Sequence, residues 1–479
     1  MPIAPVAPAP VPRAPGRLPL LGHAPALLRD PLGFIGSLAR VGGVVRISLG
    51  PRSVCVVTRP ELVHTLLVAL AHDCPRGAVQ VTLRRAFGDG LLMSEGRAHR
   101  DRRRVLQPAF TARDMEHRIR AVERVTRERT ARWREGQVLD VGGQMSRLAL
   151  DIVTRVLFGS RLREESAAAF HRALPDLVRG QIVRSLLPHP AFALLPLPLN
   201  LRFESAVRAL NRVVDQAVNG SGGPDSLLWL LRTARDPSTG RRLDEAAVRA
   251  EAITVLGAGT ETVSTTLTWL FHELTRHPEI AGRLLAELDG LGDEPLTAPA
   301  LGRLELLHRV LREVLRLHTP NAFLMRTATT RVRLGPYSVP AGTELLYSLT
   351  ALHRDPERYA RPLVFDPDRW VNGSGARDQG GERELFLPFG AGKHRCIGEG
   401  FAWMELAVVA ATVLREWRPV PVAGARARER VWTTVQADGV AMAVTRRQGR
   451  PAPGPAAASS AATSSASAST SSQDQGGAG

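Results

Sequence analysis

Cys396 stands in the run Phe389-Gly390-Ala391-Gly392-Lys393-His394-Arg395-Cys396-Ile397-Gly398, with two glycines just ahead of it and a third two residues beyond. Glycine permits tight backbone angles and close approach. Apolar residues then recur at helical spacing, at Ile397, Phe401, Ala402, Leu406, Val409, Ala410 and Val413. The cysteine therefore sits in a glycine-rich loop at the N-terminus of an amphipathic helix. Free amide N–H groups and the helix dipole at such an end favour a thiolate. A shielded thiolate is a ligand for a soft metal, haem iron among them. Taken as a lone residue, a buried free cysteine packed as a small hydrophobe is the competing reading.

Three further groupings could work with that thiol. Leu256-Gly257-Ala258-Gly259-Thr260-Glu261-Thr262 lies inside a long helical pattern over about residues 244–277. A glycine costs a helix interior about 1 kcal/mol relative to alanine. Gly257 and Gly259 thus mark a place where something approaches the backbone closely or the helix opens. Glu261 and Thr262 put an acid and a hydroxyl into a mostly apolar helix, although Thr262 bonding back to a carbonyl one turn earlier and a surface Glu261 would be equally ordinary. His99 and Arg103 are four residues apart on one helix face, with Arg100, Arg102 and Arg104 beside them as a solvated basic face. Glu313 and Arg316, at i and i+3, make by themselves an ordinary helix ion pair worth about 0.2–0.5 kcal/mol.

Phe-Gly-x-Gly-x-His-x-Cys-x-Gly resembles the haem-binding loop of the cytochrome P450 family, and the other groupings follow in that family's order over about residues 17–447. The resemblance implies a mainly α fold with small β-sheets. One large domain would hold haem b (iron protoporphyrin IX) between the long oxygen-binding helix and the helix after the cysteine. It implies Cys396 as the metal ligand, and Phe389, Gly390, Ala258 and Gly259 as cofactor-binding positions. Ala-Gly-x-Glu-Thr is similar to the family's oxygen-activating motif, with Thr262 and Glu261 as catalytic alcohol and acid; many members carry Asp where Glu261 stands. His99 and Arg103, followed by Gln107-Pro108-Ala109-Phe110, match side chains that hold a haem propionate, and Arg326 and His394 match two more. Glu313 and Arg316 match the family's Glu-x-x-Arg, joined by Arg369 of Phe365-Asp366-Pro367-Asp368-Arg369-Trp370, as structural residues that hold the haem loop.

The activity so implied is insertion of one oxygen atom from O2 into an unactivated C–H bond. No Gly-x-Gly-x-x-Gly follows a strand and no flavin or iron–sulfur segment is fused, so the electrons would come from a separate ferredoxin and ferredoxin reductase. Ferredoxins are usually acidic and this chain is strongly basic, which suits electrostatic steering. Leu18-Pro19-Leu20-Leu21-Gly22-His23 with Asp30-Pro31-Leu32-Gly33-Phe34 is similar to bacterial members that oxidise terpenes in secondary metabolism. Pocket walls are expected at 85–96, 178–200, 252–262, 320–325 and 435–440, and the apolar character of 187–199 and 321–325 favours a small apolar substrate. A peroxide-using or non-oxidative enzyme (isomerase or dehydratase) and a non-enzymatic haem sensor are the alternatives. The alcohol–acid pair argues against the first two.

The elements that must position these residues follow from periodicity and punctuation. Asp30-Pro31 starts a helix through about Arg40, with Asp30 as N-cap and Pro31 at the first helical position. Residues 44–49 and 54–58 alternate as a β-hairpin, 60–70 return to helix, and 71–96 are irregular. A helix from about Arg97 carries His99 and Arg103. Residues 114–220 read as four or so helices with a proline-rich apolar break at 187–200. Helices follow over 278–291 and 300–317, short strands over 329–349, and strand-like sequence over 419–445. Residues 1–16 (Pro- and Ala-rich) are expected to be disordered or extended, because repeated proline blocks helix, and 448–479 (Ala, Ser, Gly) are expected to be disordered.

Composition bounds the alternatives. Of 479 residues 44% are hydrophobic, enough for a large core, but only 5% are aromatic, so that core rests on Leu, Val and Ala. Cys55, Cys74 and Cys396 are far apart and form no Cys-x-x-Cys, which fits a reducing cytoplasm. The formal charge of +17 is carried by arginine, Lys393 being the single lysine. The arginines are interleaved with Asp and Glu along helical segments, which argues against a nucleic-acid role and for an acidic protein partner. No run approaches the 18 or so apolar residues of a membrane span, and residues 1–16 contain no apolar h-region of a signal peptide.

Overall fold

The computed structural model describes residues 9–77, 84, 88–111, 115–186, 195–220, 222–224, 226–371, 386–431 and 434–447. Helices dominate them. In chain order they are α1 (Ala24–Arg29), α2 (Pro31–Ser37), α3 (Pro60–Leu67), α4 (Gly96–Leu106), α5 (Met115–Thr130), α6 (Val141–Ile152), α7 (Glu164–Leu186), α8 (Pro198–Val218), α9 (Leu227–Thr233), α10 (Glu245–Arg276), α11 (Pro278–Asp289), α12 (Ala298–Gly302), α13 (Glu305–Leu317), α14 (Leu349–His353) and α15 (Glu399–Glu416). The strands are β1 (Val44–Leu49), β2 (Arg52–Val57), β3 (Val138–Asp140), β4 (Leu324–Thr327), β5 (Val332–Leu334), β6 (Tyr337–Val339), β7 (Glu344–Tyr347), β8 (Trp417–Pro421), β9 (Arg428–Val431), β10 (Val435–Asp438) and β11 (Ala441–Arg446).

α10 is the central rod. Asp244 caps it, its Oδ1 accepting from the Ala247 amide at 2.7 Å. Val255, Leu256, Val263, Leu267 and Leu270 are buried in one cluster with Leu148 and Ile152 of α6 and Val213 and Val214 of α8. α10 stays α-helical through Gly257 and Gly259. Of the two explanations for a glycine there, close approach holds for Gly259: a Cβ on it would stand 3.1 Å from Val153 Cγ2, at the start of the π-turn Val153–Leu157 that ends α6. α15 packs against α5 and α10, and its run from Leu406 to Leu414 is buried at every position.

The strands form a four-stranded sheet in the order β1-β2-β7-β4, a three-stranded sheet β3-β11-β8, and the pairs β9-β10 and β5-β6. β2 runs parallel to β7 and the other neighbours of the larger sheet are antiparallel. This sheet carries Arg326 on β4, which pairs with Leu345 of β7.

Several sequence expectations meet corrections. Residues 9–16 take the extended of the two forms expected, not the disordered one: Ala9 donates to Pro336 O at 2.8 Å, Ala14 donates to Arg46 O at 2.9 Å, and Ala14 is buried. Proline keeps the segment out of helix, but its free carbonyls and amides pair along the sheet edges. Residues 1–8, the tail 448–479 and the core of the apolar break, 187–194, lie outside the described residues. The expected helix over 300–317 is two helices, separated at Arg303 and Leu304. Arg102 is no solvated surface cation: its Nη1 donates to the buried Glu251 at 2.7 Å, and Glu251 also accepts from the Leu91 amide at 2.9 Å. That carboxylate ties α4 and the 91–93 turn to α10.

Candidate active site

The cysteine loop is shaped by its glycines. Gly390 and Gly392 hold φ of +72° and +66°, a region costly to other residues. A Cβ on Gly392 would meet Leu67 O at 2.2 Å, so the loop presses on the end of α3. The Cys396 amide donates to Phe389 O at 2.9 Å and closes the turn. Cys396 lines a cavity of about 1090 Å³, together with Phe389, Gly390, His394 and the α15 residues Phe401, Ala402 and Glu405. Its side chain is exposed, into the cavity, yet the protein around it displaces bulk water, which raises its thiol above the ordinary value, and the Gly398 amide pulls only partly the other way. The helix end alone does not make it a thiolate. A thiol so placed loses its proton when a metal cation takes the proton's place.

α10 supplies another wall of the same cavity, with Gly257, Ala258, Gly259, Glu261, Thr262 and Thr266. Thr262 Oγ1 donates to Ala258 O at 2.8 Å, the backward bond that its place in a helix allows. Glu261 is not at the surface. Its Oε1 accepts from Thr434 Oγ1 at 2.7 Å and Gln436 Nε2 at 3.1 Å, and burial, partly offset by those two bonds, raises its pKa.

Basic side chains gather at one side. His99 is buried, stands edge-on to His394 with ring centroids 4.4 Å apart, and has no partner at Nδ1. Burial, then the charges of His394 and Arg76, push its pKa down to about 3. Arg103 Nη1 donates to Arg395 O at 2.6 Å, and His394 Nε2 lies 3.1 Å from Glu95 Oε2. Arg326 is buried on β4 and lines the cavity. Arg76 and Glu95 escaped the sequence reading, because they lie in an irregular stretch with no periodicity. Arg76 lines the cavity, and its pKa is held down at about 10 by burial first and by the charge of Arg326 second. A buried and a partly buried guanidinium that repel each other, with Glu95 the nearby acid 3.9 Å from Arg76 Nε and an unpartnered imidazole nitrogen close by, suit a further anion.

These residues fit haem. Its carboxylates suit the cluster of Arg76, His99, Arg103, Arg326 and His394, and its iron suits the single thiol. Among the described residues no group of three or more His, Cys, Asp or Glu could hold a metal ion, so iron would have to arrive with its own equatorial ligands. The cavity also exceeds the roughly 300–1,000 Å³ of an ordinary ligand pocket, enough for a cofactor and a substrate together.

Glu313, Arg316 and Arg369 sit apart from the cavity in a buried knot. Glu313 accepts from Arg316 Nε at 2.9 Å and Nη2 at 2.8 Å, from Arg369 Nε at 2.9 Å and from Trp370 Nε1 at 2.9 Å. Of the expected pocket walls, Leu91 and Leu92, Thr254 to Thr262 and Pro320 to Met325 contribute lining residues, as does Leu177 just ahead of 178–200. Residues 435–440 do not line it; Glu429, Arg430, Val431 and Thr434 do, and so do Leu27 to Leu32, which were not among the expected walls.

Glu405 is a further residue that sequence reasoning passed over. It is buried on the cavity-facing side of α15, its Oε1 has no partner, and burial raises its pKa well above the ordinary 4.5. A carboxyl whose folded pKa is raised binds its proton more tightly folded than unfolded. Stability is therefore undiminished below the unfolded value of 4.5 and falls as pH rises above it. Glu405→Gln removes that dependence. The difference in melting temperature between variant and parent is expected to shift in the variant's favour between about pH 5 and about pH 8. A difference that stays constant over that range contradicts the assignment.

The family model described as cytochrome P450 matches residues 12–429. A cyclooctat-9-en-7-ol 5-monooxygenase from Streptomyces melanosporofaciens is 38% identical over 418 residues, 86% of this chain and 90% of that protein. A pentalenene oxygenase from Streptomyces avermitilis is 35% identical over 410 residues, 85% of this chain and 90% of that protein. The crystal structure of the cytochrome P450DA heme domain superposes with a TM-score of 0.80 at 26% identity, covering 92% of this chain and 99% of the other.

Proposed function

The chain belongs to the cytochrome P450 family, and on that premise we propose that it inserts one oxygen atom from O2 into a C–H bond of an apolar terpene of secondary metabolism, in the cytoplasm, with electrons from ferredoxin and a ferredoxin reductase. The family makes it a haem b-dependent monooxygenase of mainly α fold. The relatives named for cyclooctat-9-en-7-ol and pentalenene support the terpene. The observation that carries the reading is the cavity of about 1090 Å³ lined by Cys396, by Arg76, Arg326 and His394, and by the Glu261–Thr262 pair, with His99 packed on His394 and Arg103 bonded to Arg395 O beside it. Its walls are largely apolar, with Leu91, Leu92, Phe170, Val255, Phe323 and Leu324 among them.

When bound, haem supplies the oxygen chemistry, favoured toward O–O cleavage by a thiolate ligand. Cys396 Sγ is that ligand. His99, Arg103, Arg326, His394 and Arg76 would hold the carboxylates, and Phe389 and Gly390 shape the cysteine loop. Glu261, whose pKa burial raises, is the acid placed beside Thr262. Thr262 Oγ1 can accept a proton on its free lone pairs as it stands, and passes its own hydrogen on by turning it away from Ala258 O. The apolar walls keep bulk water from the pair.

A concave surface lined by Arg100, Arg103, Arg104, Lys393 and Arg395 lies beside the cysteine loop, and its charge supports an acidic ferredoxin as electron donor. The test is turnover of the haem-loaded chain with reduced ferredoxin, a panel of terpene hydrocarbons and isotopically labelled O2. Product with one labelled oxygen is expected. Product formed without O2, or no ligand-induced change in the haem absorption band with any terpene, overturns the reading. Thr262→Ala is expected to lower product per O2 consumed at least about tenfold, since positioned proton transfer contributes roughly 10²–10⁴-fold. Unchanged coupling of O2 to product removes Thr262 from the relay.

A further inference from the structure

Leu28, Arg29 and Asp30 line the cavity and are also exposed at the protein surface, so the cavity reaches solvent beside α1. The chain just before α1 forms a tight loop fixed to β1. Leu18 and Gly22 exchange backbone hydrogen bonds, both at 3.0 Å, the His23 amide donates to Ser48 O at 2.6 Å, and the Gly50 amide donates to Leu21 O at 3.1 Å. Gly22 lies so close to β1 that a Cβ on it would meet Ser48 O at 2.3 Å. The Ser48 amide donates to His23 Nδ1 at 3.0 Å, which leaves Nε2 to donate to Ala14 O at 3.3 Å.

The backbone of this loop is thus anchored while its leucines are not. Leu18 is 48% exposed, Leu20 92%, Leu21 56% and Leu28 75%. Leu20 also holds φ of +59°, a left-handed conformation that costs a side chain of this size. Scattered exposed leucines are normal. Four between residues 18 and 28, beside a cavity opening, are a patch that marks an interaction surface. In sequence the surrounding segment is mostly basic: residues 1–60 contain seven arginines and one acid, Asp30, although Arg59 pairs with Glu357. Arg13, Arg17 and Arg29 are exposed, and the Asp30 carboxylate caps α2 through the Gly33 amide at 3.0 Å.

We propose that this rim docks on the surface of an anionic phospholipid bilayer. The leucines of the 18–22 loop and α1 enter the interfacial layer, and the arginines lie against the headgroups. The cavity mouth then opens where an apolar substrate partitions. Among the described residues no helix is long and apolar enough to cross a membrane, so the association is peripheral. It rests on the monooxygenase reading only for what passes through the mouth; binding to lipid is independent of it.

The test is co-sedimentation of the full haem-loaded chain with vesicles containing phosphatidylglycerol and with vesicles of phosphatidylcholine alone. At +17 the whole chain is attracted to anions, so the leucine contribution is the deciding one. Binding to the phosphatidylglycerol vesicles is expected, and the double substitution Leu20→Ser with Leu21→Ser is expected to weaken it at least about tenfold, because one buried leucine is worth about that factor or more. Neither leucine lines the cavity, so the haem spectrum and the affinity for imidazole should not change. Arg17→Glu should lower both the binding and its dependence on salt. Absence of sedimentation with phosphatidylglycerol, equal binding by the leucine variant, or a dimer in vesicle-free solution that the leucine substitutions dissolve each overturns the proposal.

Discussion

Cys396→Ser is expected to abolish the thiolate signature of the ferrous–carbonyl spectrum and to leave less than about one hundredth of the turnover. Second-shell partners of a metal ligand already cost roughly 10–100-fold, and the ligand itself costs more. Burial raises the Cys396 thiol, yet a thiol so raised still ionises against a metal far more readily than an alcohol in the same place. The substitution should not unfold the loop. Its shape is set by Gly390 and Gly392 at positive φ, by the contact of Gly392 with Leu67, and by the bond from the residue 396 amide to Phe389 O, all of which serine keeps. The expected variant is folded and able to take up haem, without the thiolate band. A serine variant that retained that band would sink the assignment of Cys396.

What could be read without coordinates was the part written in local rules. The loop before α15 announces itself through glycines whose φ only glycine adopts cheaply. α10 was bounded to within a residue because Asp244 caps it and His277-Pro278 ends it. The β1–β2 hairpin followed from alternation. What could not be read depends on contacts distant in sequence. Arg76 earns its place only because β4 brings Arg326 beside it, an isolated bridge across 250 residues. Glu251 pairs with Arg102 of α4, so neither periodicity nor charge count could tell that arginine from its solvated neighbours. Residues 9–16 look like a proline-rich tail until the sheet supplies partners for their amides. Glu405 is the hardest case: an acid on an apolar helix reads as a surface residue, and only the packing of α15 buries it.

The buried knot around Glu313 carries the second large effect. Glu313→Gln is expected to cost about 3–5 kcal/mol, the penalty for leaving one partner of a buried pair uncompensated, out of a total stability of roughly 5–15 kcal/mol. Glu313 and Arg316 are both 0% exposed, and Arg369 reaches the same carboxylate. Removing its charge leaves two guanidiniums facing a neutral amide. Arg316 would retain its bonds to His353 O at 2.7 Å and Pro362 O at 2.8 Å, but those carbonyls do not balance its charge. The damage then spreads toward the cysteine. His353 Nε2 accepts from the Leu387 amide at 3.0 Å, two residues before Phe389. Its Nδ1 lies 2.8 Å from Thr319 Oγ1, whose hydroxyl already donates to Leu315 O, so Nδ1 carries the ring proton. Burial, with the nearby Arg316 charge second, holds the His353 pKa at about 3, so the ring is neutral and keeps that tautomer across the working range. Loss of Glu313 loosens Arg316, then His353, then the start of the loop, so haem retention should fall along with stability. Breaking the exposed Arg283–Asp368 pair, 2.7 Å apart with both side chains nearly half exposed, supplies the comparison, since such a bridge is worth about 0–1 kcal/mol. Urea unfolding of Glu313→Gln beside Arg283→Ala decides the matter: similar losses in the two variants would mean that the knot braces nothing.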